Sequence, residues 1–157
     1  MKNQTCCFTG HRDLPPQKLP QIQKRLEQEV LRLIHQGVRY FGAGGALGFD
    51  TLAAMTVLSL RETYPHIRLI LVLPCREQAA SWPEKDVCTY EQIKRRADKV
   101  VFTSEHYFRG CMQLRNRYLA EHSGVCICYL NKPSGGTRYT VDTCRRLDIP
   151  VINFAQC

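Results

Sequence analysis

The 157-residue sequence has no apolar run approaching the roughly 20 residues that a membrane-spanning helix needs. Its opening, MKNQTCCFTGHR, lacks the basic and then apolar pattern of a secretory signal, so a cytoplasmic protein with no membrane partner is expected. Repeats, low-complexity tracts and linkers long enough to separate a pair of domains are also missing, and the length suits a single domain, residues 1–157, that buries its own core. Tryptophan occurs once, at Trp82. Acidic side chains are the minority sign: 14 Asp and Glu against 22 Lys and Arg leave a formal net charge of +8, which suits an anionic partner. The basic residues are dispersed rather than gathered in one block, as on an ordinary basic surface. Hydrophobic residues at 44% and charged residues at 23% exclude a disordered or fibrous chain.

Cysteine, by contrast, is plentiful. The nine cysteines are odd in number and fall within expected strands and helices, which argues for reduced thiols rather than a disulfide framework. No CxxC or His/Cys ligand pairing accompanies them, so no metal is expected. Cys126 and Cys128, two apart in CICYL, share one face of a strand, where small apolar thiols pack.

TCCFT, VRYFGA, IRLILVLP, KVVFT, VCICYL and PVINF are short runs rich in Val, Ile and aromatics, each fit to be a buried strand. Helical patterns lie between them: residues 18–36, with Ile22, Leu26, Val30, Leu33 and Ile34 on one face, then 51–63, 90–97, 113–122 and 138–147. Strands buried on both faces and separated by helices predict an α/β, Rossmann-like, doubly wound fold. Its sheet is mainly parallel, of about six strands, with helices on both faces. Residues 74–89, PCREQAASWPEKDVCT, read as a long irregular connection after a strand. Trp82 within it either pins the loop to the body or offers an aromatic wall to a base.

In such a sheet, ligands bind at the carboxyl ends of the strands. Three glycine-bearing loops fall there: Thr9, Gly10, His11 and Arg12 after the first strand, Gly42 to Asp50 (GAGGALGFD) after the second, and NKPSGGT after the fifth. Gly44, Gly45, Ala46 and Gly48, and again Gly135 and Gly136, bring backbone N–H groups close to an anion at a helix start. Neither loop is the G-x-G-x-x-G fingerprint or a G-K-[ST] P-loop. Asp50 caps its helix or faces a ribose hydroxyl, and Thr137 can cap while offering a hydroxyl to phosphate. Arg12 supplies a charge-assisted contact, with His11 joining it or shaping the loop. Arg115 shares a helix face with Met112 and Leu119, and either meets a buried carboxylate or reaches the crevice. Asn116 and Arg117 read as solvated or structural.

FTGHR, GAGGALGFDTLAA, LPC with a downstream SWPE, RNRYLAEHSG and PSGGTRYTV together resemble the YpsA-like family of the SLOG superfamily, named for the Smf/DprA and LOG ("Lonely Guy") proteins. The resemblance runs in order over nearly the whole chain. It implies a Rossmann-like domain binding nucleotide-derived ligands at the strand ends, in a family mostly without an established activity. LOG phosphoribohydrolases cleave the N-glycosidic bond of nucleoside monophosphates. Their PGGxGTxxE pattern is similar to PSGGTRYTV, with Gly136 and Thr137 matching Gly-Thr and the Glu position falling on Thr140; their M-x-x-R-K pattern is similar to Met112 to Asn116, with Arg115 kept and Lys replaced by Asn. Glycosidic cleavage uses a carboxylate against the developing positive charge, and Thr140 has none. Hydrolysis is therefore disfavoured unless another acid, Asp50 or Glu105, takes the role.

The expectation is a binding or sensor domain for a small nucleotide-like molecule such as ADP-ribose, a dinucleotide or a modified nucleotide, with no further cofactor and no assigned catalytic residue. A LOG-like hydrolase and DprA-like single-stranded DNA binding are the alternatives. The sequence leaves a homo-oligomer open.

Overall fold

The computed structural model describes residues 2–155. Six strands form one sheet: β1 (Thr5–Gly10), β2 (Tyr40–Ala43), β3 (Arg68–Leu73), β4 (Lys99–Phe102), β5 (Val125–Tyr129) and β6 (Val151–Asn153), in the order β4-β3-β2-β1-β5-β6 with every pair parallel. From β1 the chain builds outward one strand at a time to β4, then crosses back to lay β5 on the free side of β1. The order reverses between β1 and β5, and there the helices on the two faces diverge and open a crevice at the carboxyl ends.

Five helices make the connections: α1 (Leu19–His35), α2 (Phe49–Thr63), α3 (Glu84–Arg96), α4 (Cys111–Glu121) and α5 (Gly136–Arg146). The strand residues alternate between two cores. Phe8, Phe41, Leu69, Leu71 and Ile127 point to the face covered by α1, α2 and α3, while Cys7, Val72, Cys126 and Cys128 point to the face under α4 and α5. Ile22, Leu26, Val30, Leu33 and Ile34 are the buried face of α1, as their spacing requires. No described helix is long and apolar enough to cross a membrane.

One helix boundary differs by more than two residues from the sequence reading. α3 begins at Glu84 rather than Tyr90, because Pro83 occupies its N-cap position and Glu84 and Asp86 place negative charge in its first turn. The irregular connection after β3 therefore shortens to residues 74–83. The described cysteines are free thiols, and Cys126 and Cys128 do share a face. Cys144 of α5 joins that face, so the sulfurs of Cys7, Cys126 and Cys144 lie within 4.8 Å of one another, a grouping that spacing along the chain does not disclose.

Candidate functional site

The three loops after β1, β2 and β5 meet at the reversal point. Thr9, Gly10, Arg12, Ala46, Asp50, Trp82, Arg115, Gly135, Gly136 and Thr137 line one cavity of about 460 Å³. A second cavity of about 470 Å³ adjoins it between α2 and α3, and Gly45 and Gly48 line that one together with Arg12, Asp50 and Trp82. Of the residues expected from sequence to bind the ligand, Gly44 alone lines neither cavity.

The glycines serve different ends. A Cβ on Gly10 would collide with the Phe49 ring, and one on Gly48, at φ +79°, would collide with the His11 and Arg12 carbonyls. A Cβ on Gly44 would sit 2.6 Å from Arg115 Nη1 and 3.0 Å from Asp50 Oδ2, and one on Gly45, at φ +73°, 2.6 Å from Leu73. The loop after β2 is thus packed against the protein's own groups, and its glycines permit close approach. Gly42 lies within β2 under Leu119. The loop after β5 is the open one: nothing lies within 4 Å of a Cβ built on Gly135, at φ +107°.

That openness exposes the start of α5. Its N-cap residue is Gly135, no side chain caps it, and its first turn holds no acidic residue. Thr137 is the second residue of the helix rather than its cap. Among the described residues nothing accepts the N–H groups of Gly136, Thr137 and Arg138, whereas the Gly136 carbonyl receives the Thr140 hydroxyl at 2.9 Å and Asn116 Nδ2 at 3.4 Å. Three free donors at the positive end of a helix dipole are an arrangement whose chemistry suits an anion. Arg12 and Lys132 are exposed on the rim, with no ion pair among the described residues.

Asp50 does not cap α2 either. It is the helix's second residue, buried, with Oδ2 accepting from the Ala46 N–H at 3.4 Å, while no side chain caps the N-cap Gly48. Burial pushes its carboxyl up to about 6, against the opposing pull of Arg115 and of the Ala46 and Gly44 amides. Arg115 is buried too, and burial lowers it from its ordinary value. Its guanidinium donates to the carbonyls of Gly44 and Val72 and, at 2.7 Å, to Asn116 Oδ1, but forms no ion pair with Asp50. Arg115 therefore both reaches the crevice wall and ties the β2 loop to α4. Asn116 is structural: it bridges Arg115 to the start of α5.

His11 shapes the loop. Its Nε2 accepts the Asn131 N–H at 3.0 Å, which joins the turns after β1 and β5, and burial, aided by nearby Lys132, holds its pKa down. Trp82 packs edge-on against Tyr90 at 5.2 Å and lies 5.8 Å under the Arg12 guanidinium, so it pins the loop and forms a wall of both cavities.

The carboxylates are few. Thr140 is fully buried and lines neither cavity. Glu105 is exposed, bound to Arg76, and stands away from both. Asp13 and Asp50 are the acids shared by the two cavities. Sequence reasoning passed over Gln78 and Tyr90, which line these walls from a loop and a helix face with no motif, and over Lys132 and Ser134 within the NKPSGGT loop. It also passed over Tyr107 and Phe108, exposed by 65% and 45% in the loop before α4.

A family profile described as the "YspA SLOG family" matches residues 7–149. Among curated proteins, the chain is 34% identical over 128 residues to a UPF0398 protein of Halalkalibacterium halodurans, covering 80% of this chain and 68% of the relative. It is 28% identical over 121 residues to one of Brevibacillus brevis, covering 75% and 64%. Over 128 residues it is 21% identical to the UPF0398 protein YpsA of Bacillus subtilis, covering 80% and 71%. Among solved structures it is similar to DNA processing protein A of Helicobacter pylori, described for its single-stranded DNA binding mode, at TM-score 0.66 and 18% identity over 95% of this chain and 64% of that one. For DNA processing protein A of Streptococcus pneumoniae the TM-score is 0.68, at 17% identity over 97% of this chain and 50% of that one. Several of these relatives are thus substantially longer than the stretch they share with it.

Proposed function

Since the chain belongs to the YpsA family of SLOG proteins, we propose that it binds a nucleotide-derived ligand, such as ADP-ribose, a dinucleotide or a modified nucleotide, at the carboxyl ends of its strands. The role is that of a binding or sensor domain. One observation carries the reading: the uncapped start of α5 presents the free N–H groups of Gly136, Thr137 and Arg138 to a cavity whose rim holds the unpaired cations Arg12 and Lys132. Phosphate is the group that such donors select. Thr137 adds a hydroxyl, Arg115 deepens the positive field from below, and Trp82 takes the base side.

Binding rather than cleavage is favoured, because no carboxylate stands at the Thr140 position and the two acids of the crevice, Asp13 and Asp50, serve no evident partner base. A phosphate-bearing nucleotide is expected to raise the melting temperature saturably, by mass action on the folded state, while the matching nucleoside leaves it near its starting value. No shift across a broad nucleotide panel rejects the reading. Release of free base from a nucleoside monophosphate, lost in Asp50→Asn, would instead support the LOG-like hydrolase.

Single-stranded nucleic acid is the second reading. Tyr107 and Phe108 stand exposed beside α4, on a chain of net charge +8, and such aromatics suit base stacking. On this reading oligonucleotide affinity falls steeply with salt and drops in Tyr107→Ala and Phe108→Ala; on the small-ligand reading those two variants bind nucleotide as the native chain does.

A further inference from the structure

Three buried polar side-chain atoms find no hydrogen-bond partner among the described residues: Asp50 Oδ1, Gln78 Oε1 and Tyr90 Oη. Their residues are 6%, 9% and 6% exposed. The three residues border the same turn, Gly44 and Gly45. Gln78 Oε1 and Tyr90 Cε1 each lie 3.4 Å from a Cβ built on Gly45, and Asp50 Oδ2 lies 3.0 Å from one built on Gly44. That turn is the wall between the two cavities: Gln78 lines the one at α5, Tyr90 the one between α2 and α3, and Asp50 both. Buried polar atoms are nearly always paired in folded proteins, and an unpaired one costs free energy until something supplies the partner.

The chemistry of the three atoms is one-sided. A carboxylate oxygen and an amide oxygen only accept, and a phenol accepts as well as donates. What completes them must therefore bring N–H or O–H groups, directly or through one ordered water. The surroundings suit a flat apolar ring: Leu14, Leu52 and Ile93 are apolar walls of the second cavity, and Trp82 and Arg12 line it and the cavity at α5 alike.

We propose that the cavity between α2 and α3 is the base subsite of the nucleotide ligand, and that Asp50 and Tyr90, which line it, select a base carrying an exocyclic amino group. The inference rests on the phosphate reading above, since it assumes that the other end of the molecule sits at α5. With the phosphate there, the sugar passes Arg12 and the base enters beside Trp82. The amino group then meets acceptors that are otherwise orphaned, which makes them specificity-determining rather than structural.

The test uses four probes on the full chain by isothermal titration: inorganic phosphate, ribose 5-phosphate, AMP, and purine riboside 5′-monophosphate, which lacks only the amino group of AMP. AMP is expected to bind about tenfold or more tightly than either organic competitor, a factor of the size that one satisfied buried hydrogen bond supplies. Tyr90→Phe removes a hydroxyl that has no partner in the free protein, so its melting temperature holds or rises, yet it weakens AMP and leaves ribose 5-phosphate unchanged. Trp82→Ala weakens AMP by a larger factor with the same indifference to ribose 5-phosphate. Equal affinity for AMP and purine riboside monophosphate, or equal weakening of AMP and ribose 5-phosphate by both variants, overturns the base subsite while the phosphate site stands. Binding of none of the four overturns both.

Discussion

At the residue scale, Asp50 is the most consequential side chain. Its carboxyl is raised from 3.8 to about 6, chiefly by burial. The folded state therefore holds the proton more tightly than the unfolded state, unfolding releases it between those values, and stability falls as the pH rises through that window. Asp50→Asn keeps the shape and loses the titration. Its stability relative to the native chain is expected to climb by about 2 kcal/mol between pH 4 and pH 7, read from urea denaturation at each pH. A gap that does not change with pH would mean that Asp50 is ionised at no cost. Gly48 gives a second test at this scale. With φ at +79° and the His11 and Arg12 carbonyls where a Cβ would stand, Gly48→Ala is expected to cost about 3 kcal/mol or more, as a left-handed backbone and a clash combine. Sequence marked both positions but not their work: Asp50 read as a cap or ribose contact and Gly48 as an anion cradle, because packing partners 35 or more positions away leave no local signal.

At the element scale, the helices differ in how they begin. α4 and α5 begin at glycine, without a side-chain cap and without an acid in the first turn, whereas α3 carries Glu84 and Asp86 there. An acid in the first turn of α5 would compete with a phosphate for the same end of the dipole. Thr137→Asp is accordingly expected to leave the fold intact, with the negative charge favoured at a helix start, and to abolish the thermal shift by nucleotide; a shift equal to that of the native chain would move the anion elsewhere. The elements themselves were legible in the sequence. All six strands stand where their apolar runs placed them, since burial on both faces writes a continuous pattern. The start of α3 is written in Pro83, Glu84 and Asp86, ahead of the apolar spacing that begins at its buried Tyr90.

At the scale of the whole molecule, the parallel sheet decides what can meet what. Loops around positions 10, 46 and 135 converge because their strands are neighbours at a topological reversal, and this was legible once the strands were recognised as parallel. What sequence did not carry is the division of that edge into an open, uncapped helix start at α5, a packed loop at Gly44 to Gly48, and a second chamber lined by Trp82. That division depends on side chains such as Arg115, Gln78 and Tyr90 reaching across between elements. The dispersed net charge of +8 belongs to this scale too. Under the small-ligand account it tunes solubility and encounter rather than recognition, so nucleotide affinity is expected to change little between low and physiological salt, while oligonucleotide binding collapses.

The most direct measurement is a backbone amide NMR titration of the isotope-labelled chain with a nucleoside 5′-monophosphate and, separately, with the nucleoside. The account predicts saturable shifts that are largest at Gly136, Thr137 and Arg138 with the monophosphate and nearly absent there with the nucleoside. Shifts confined to other surfaces, or amides at the start of α5 that ignore the phosphate, would contradict it.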